Sequence, residues 1–130
     1  MTFVDTSAIY AILDRDDSNH PAAKDRWVRL IDAETVLVTS NYVLVESCAL
    51  AQNRLGLGAV RAIHEDIIPV MNVCWMDANL HALAMAATIA AGRRKLSLVD
   101  CSSFAMMRQR GIRNAFAFDK HFVEEGFRCH

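Results

Sequence analysis

The stretch Thr2-Phe3-Val4-Asp5-Thr6-Ser7-Ala8-Ile9-Tyr10-Ala11-Ile12-Leu13 joins a short apolar run to a second one of helical character across the break Asp5-Thr6-Ser7. An extended run that yields to a helix over a polar turn is the start of a strand–helix unit. The same alternation recurs down the chain. Pro21 stands where a helix favours proline, and Trp27, Leu30 and Ile31 form an apolar stripe opposite Arg26, Arg29 and Asp32. Val36-Leu37-Val38 predicts a second strand. Ser40 or Asn41 is placed to cap a helix that carries Val43, Leu44, Leu50 and Ala51 and stops before Gly56. A helix over about 57–66 ends before Pro69, and 70–76 reads as a third strand. Asp77 opens an Ala-rich helix that closes at Gly92, and Ser97 begins another that runs to Arg110 and Gly111. A last strand over 115–118 precedes Asp119 and a short helical turn. Strands alternating with helices imply an α/β domain with a mainly parallel sheet covered on both faces.

The chain has 130 residues and no linker-like break, so residues 1–130 read as one domain. Such a chain buries roughly two-thirds of the surface its unfolded form exposes and needs no disulfide or structural metal to fold. A hydrophobic fraction of 53% and a mean hydropathy of +0.15 leave an apolar surplus for a protein partner. The Ala-rich face of residues 78–91 suggests a homodimer surface. That segment is too short and too mild to span a membrane, and Asp5 and Asp14 interrupt the region where a signal peptide would have its apolar core. A cytoplasmic protein is expected. Cys48, Cys74, Cys101 and Cys129 form no CxxC pair and read as free thiols. A net charge of −1 excludes a global basic field, and charge alone does not point to nucleic acid.

Four acids stand out. In open parallel sheets ligands bind beyond the carboxyl ends of the strands, and Asp5 and Asp119 both follow apolar strand-like runs. Glu46 and Asp100 interrupt apolar helical sequence, in Val43-Leu44-Val45-Glu46 and Leu98-Val99-Asp100. A carboxylate in apolar surroundings must be paired, protonated or bound to a cation, and no Lys or Arg lies within six residues of Glu46. A shared hard cation such as Mg²⁺ or Mn²⁺ satisfies all four. Zinc is discounted, since histidines 20, 64, 81, 121 and 130 lack ligand spacing, and His121 reads as a surface or satisfied histidine. Each acid also has a structural reading. Ser97-x-x-Asp100 matches a capping box, Asp5 and Asp119 can cap the elements that follow them, and Glu46 can face solvent. Asp77, which also follows an apolar run, reads as a plain N-cap.

Together these segments resemble the PIN-domain ribonucleases, and within them the toxins of VapBC-type toxin–antitoxin pairs. The resemblance is carried by Phe3-Val4-Asp5-Thr6-Ser7-Ala8, by Thr39-Ser40 with Leu44-Val45-Glu46, by Leu96 to Phe104 with Arg108 and Gly111, and by Ala117-Phe118-Asp119-Lys120-His121-Phe122. It implies a three-layer α/β/α sandwich, metal-binding roles for Asp5, Glu46, Asp100 and Asp119, and an assisting hydroxyl on Thr6 or Ser7. Any final edge strand must be very short, because the chain stops soon after Phe127. The activity implied is hydrolysis of RNA phosphodiester bonds, leaving 5′-phosphate and 3′-hydroxyl ends, and the partner implied is an antitoxin laid across a groove near the site. RNA must be drawn to an acidic site by bases, for which Arg93-Arg94-Lys95 and Arg108 are the candidates. The rival readings are a phospho-acceptor receiver domain, another small α/β protein with an acidic Mg²⁺ pocket, and a non-catalytic RNA- or protein-binding module on the same fold.

Overall fold

The computed structural model describes residues 1–129; His130, one of the histidines weighed for zinc, lies outside them. Four strands, β1 (Thr2–Val4), β2 (Leu37–Ser40), β3 (Asn72–Cys74) and β4 (Asn114–Phe116), form one parallel sheet in the order β3-β2-β1-β4. Seven helices among the described residues connect and cover them: α1 (Thr6–Leu13), α2 (His20–Asp32), α3 (Asn41–Leu55), α4 (Leu57–Ala62), α5 (Ala78–Ala91), α6 (Leu98–Arg110) and α7 (Lys120–Glu124). Successive strand residues point to opposite faces, and every residue of β1 and β2 is buried, so helices close both sides of the sheet. The short edge expected at the end is a single parallel bridge between Asn114 and Arg128.

The helix starts follow local chemistry. The Ser40 hydroxyl accepts from the Val43 N–H, and the Asp77 carboxylate accepts from the Leu80 N–H at 2.8 Å, as capping residues do. Helices α5 and α6 end at Gly92 and Gly111, whose φ of 60° and 67° place them in the left-handed region that glycine enters freely.

Three expected elements shift at their boundaries. The helix over 57–66 is α-helical only to Ala62, passes through a π turn at Ile63–Ile67, and ends in a 3₁₀ turn that takes in Pro69 and Val70. The third strand is therefore Asn72–Cys74 rather than 70–76, and Trp75, 77% exposed, lies outside it. A strand runs only as far as its neighbour: Cys74 pairs with Ser40, the last residue of β2. Likewise β4 ends at Phe116, opposite Val4, so residues 117 and 118 leave the sheet. The core contains Phe3, Phe116 and Phe122, and Phe104 packs edge-on against Phe122 at 5.0 Å between ring centres.

A candidate metal centre at the switch point of the sheet

The chain steps outward from β1 to β2 to β3, then returns to the other side of β1 to place β4. The crevice between β1 and β4, at their carboxyl ends, is the point of reversal where such sheets bind ligands. Asp5 is the first residue beyond β1, and its N–H donates to the Phe116 carbonyl of β4 at 3.0 Å. Asp119 comes three residues after β4. Asp100 is brought in by the first turn of α6, and Glu46 by the second turn of α3.

Asp5 and Asp119 cap helices as well, and Asp100 is the third-residue partner of the capping box at the start of α6. Asp5 Oδ2 accepts from the Ser7 N–H at 3.1 Å and the Ser7 hydroxyl at 2.7 Å, capping α1. Asp100 Oδ2 accepts from the Ser97 N–H at 3.1 Å, while the Asp100 N–H donates to Ser97 Oγ at 3.0 Å, completing the capping box. Asp119 Oδ1 accepts from the His121 N–H at 2.9 Å. These local roles do not exhaust the carboxylates, because each occupies one oxygen. The second oxygen of each has no hydrogen bond among the described residues. The helix N-termini that converge here also favour negative charge.

The charges are not neutralised by the protein. Asp5 is 3% exposed and Asp100 8%, yet among the described residues no Lys or Arg forms an ion pair with Asp5, Glu46, Asp100 or Asp119. Burial pushes the Asp5 carboxyl up to about 7, against the pull of the Ser7 hydrogen bonds and with help from the Asp100 and Glu46 charges. Burial also raises Glu46, with Asp100 and Asp119 adding to it and the Thr6 hydroxyl opposing. Asp100 is raised by burial and by Asp119, against its hydrogen bonds to Ser97. Buried and half-buried acids gathered with free carboxylate oxygens on Asp5, Asp100 and Asp119 suit a hard divalent cation.

The hydroxyls divide. Ser7 Oγ donates to Asp5 and accepts from the Phe118 N–H at 2.9 Å, tying the end of β1 to the segment that leads to Asp119. Thr6 donates to the Val43 carbonyl at 3.4 Å and accepts from Ser47 at 3.2 Å, so it faces α3. Ser7→Ala is expected to weaken metal binding several-fold and cost about 1–2 kcal/mol of stability, as one buried tie to Asp5 is lost. Metal titration and a melting curve check both.

His121, expected as a surface or satisfied histidine, takes the second form. It is buried, with Nε2 3.2 Å from the Lys95 carbonyl and Nδ1 3.3 Å from Glu124, so it is a satisfied histidine. It also joins the tightest group here: Asp100, Asp119 and His121 each offer an atom within 4.8 Å of the others. Asp5 and Glu46 stand outside that group. The spacing Asp119-x-His121 was the available signal. Of the bases, Arg93, Arg94 and Lys95 are exposed in the loop that enters α6, with Arg93 3.4 Å from Glu124. Arg108 is held apart. It lies eight residues beyond Asp100 on α6, roughly 12 Å along the axis. There it pairs with Glu125 at 2.8 Å and covers the Phe127 ring.

The PIN-domain family model matches residues 2–127. The chain belongs to the PIN-domain family. Its relatives include the 23S rRNA-specific endonuclease VapC20 of Mycobacterium tuberculosis, 38% identical over 128 residues, with 98% of this chain and 95% of that protein covered. The crystal structure of M. tuberculosis VapC20, described as a sarcin–ricin loop cleaving toxin, superposes with a TM-score of 0.85 at 36% identity, covering 98% of this chain and 96% of that one. FitAcB from Neisseria gonorrhoeae shares the PIN fold at a TM-score of 0.66, with 16% identity and 99% and 95% of the two chains covered. The α/β sandwich with its parallel sheet is thus the PIN architecture, and no helix among the described residues is long and apolar enough to cross a membrane.

Proposed function

We propose that this PIN domain is a Mg²⁺- or Mn²⁺-dependent endoribonuclease, acting in the cytoplasm as the toxin of a type II toxin–antitoxin pair. The observation that carries the reading is the unpaired acid cluster at the switch point, in a chain 38% identical to an rRNA endonuclease. Asp5 and Asp100 are the central ligands, with Glu46 and Asp119 completing the shell directly or through water. A divalent cation held there supplies a Lewis acid for water and for the phosphate oxygens. Glu46, whose carboxyl is held above the ordinary range, is suited to take the proton of the attacking water. Ser7 fixes Asp5, and His121 is oriented by Lys95 and Glu124. Arg93, Arg94 and Lys95 lie at the rim and attract the RNA backbone. Arg108 serves as a more remote RNA contact.

A structured loop of 23S rRNA is the substrate class that the VapC20 likeness supports. The partners proposed are an antitoxin and a second copy of the chain, the latter through the exposed Leu83, Met85 and Ile89 of α5. A phospho-acceptor role is disfavoured, since a single acid follows β1 and Asp119 stands where a lysine is required. The test is cleavage of a 23S rRNA stem-loop by the purified protein. Cutting should require Mg²⁺ or Mn²⁺, stop in excess EDTA, resume on adding metal back, and leave 5′-phosphate ends. Cleavage undiminished by EDTA, or cyclic phosphate products, would rule out the mechanism.

A further inference from the structure

Beside the acid cluster lies a groove of about 380 Å³ between α3, α5 and α6. Glu46 belongs to both, so whatever fills the groove sits beside the acid cluster. Its walls are mainly apolar, from Val45, Leu98 and Val99, with Val45 69% exposed at the lip. Polar groups stand at one end. The Tyr42 hydroxyl and His81 Nδ1 are 2.5 Å apart, with the two rings edge-on at 5.8 Å. That bond leaves His81 Nε2 without a partner among the described residues. Asn41, also lining the groove, uses Oδ1 to accept from the Met76 N–H at 2.7 Å and keeps its amide N–H₂ for a ligand.

Apolar walls with two or three polar tips suit a flat heteroaromatic ring that carries hydrogen-bonding groups on its edge. We infer that the groove receives one unstacked nucleobase of the RNA, from a nucleotide flanking the cleaved bond, with Tyr42 and His81 reading its edge. The inference rests on the ribonuclease reading above. Phosphate contacts carry no sequence information, so an acid-and-metal centre selects a site only if bases are read elsewhere. Proteins that recognise RNA loops do this by splaying bases out against aromatic and apolar side chains. Charge points the same way. A base is neutral and enters beside Glu46 without repulsion, whereas a phosphate would not.

The test uses methyl NMR on the cleavage-dead Asp100→Asn protein, alongside cleavage by the parent protein. Single-stranded RNA tetranucleotides should shift the Val45 and Leu98 methyl signals saturably, and an abasic ribose-phosphate oligomer of equal length should not. His81→Ala should weaken that binding about tenfold, the scale of one lost base contact. Tyr42→Phe, which keeps the ring, should weaken it less and provides a second variant if His81→Ala fails to fold. Equal shifts with abasic RNA would overturn the inference, as would Val45 methyls already in contact with a second copy in the free protein. Metal-dependent cleavage with base-independent shifts rejects the subsite and leaves the nuclease. Base-dependent shifts with no cleavage in Mn²⁺ reject the nuclease and leave a base-binding groove.

Discussion

Asp5→Asn and Asp100→Asn are each expected to lower RNA cleavage by at least ~10³-fold while the domain stays folded. Losing a charged ligand removes several kcal/mol of cation binding and transition-state stabilisation, and each ~1.4 kcal/mol is tenfold in rate. The fold should survive because asparagine caps α1 about as well as aspartate, keeping the bonds from Ser7 to residue 5, and an amide oxygen at residue 100 can still accept from the Ser97 N–H. Without metal the variants should be more stable at neutral pH, since a buried, mutually repelling charge is gone. Asp77→Asn is the control: its carboxylate caps α5 and has no part in the cluster, so activity should be retained. Cleavage and melting in matched Mg²⁺ titrations decide the matter, and full activity of Asp100→Asn at low metal would refute the cation argument.

In EDTA the protein should lose stability as pH rises from about 4 to about 7. The Asp5 carboxyl goes from its ordinary 3.8 in the unfolded chain to about 7 in the folded one. Between those values the folded state holds the proton that the unfolded state has released, so raising the pH favours unfolding. Asp5 alone contributes on the order of 4 kcal/mol, fully present below pH 3.8 and lost by the time pH passes 7. Glu46 and Asp100, also raised by burial, act in the same direction. Millimolar Mg²⁺ should oppose the trend, because the cation binds the deprotonated acids and stabilises the folded state by mass action. Melting temperatures from pH 4.5 to 8, with and without Mg²⁺, check this. A melting point in EDTA that is flat or rises toward pH 7.5 would contradict it, and Asp5→Asn should flatten the profile.

The fold was legible because strand and helix periods alternate and their caps are explicit: Ser40, Asp77 and Ser97 each start the helix expected of them. The ends of β3 and β4 were not, because apolar residues such as Trp75 and Phe118 continue the local pattern after the neighbouring strand has stopped. Strand length is a property of the pair. At the site, the acids were legible as anomalies in apolar sequence. The approach of His121 to Asp100 was not, since it depends on how α6 and α7 pack, although its satisfied state was expected. Arg108 matched the third motif, but its distance from Asp100 is set by the length of α6.

Because Asp5 and Asp119 both cap helices and hold the proposed cation, selection against the proposed toxicity cannot change them freely. Escape mutations that keep a folded protein should concentrate on asparagine, serine or threonine at these two positions, which keep the helix start. Glu46 caps nothing and should drift more widely. Sequencing survivors of an overexpression screen would thus separate two constraints that coincide in one side chain, and decayed copies of the gene should carry the same asymmetry.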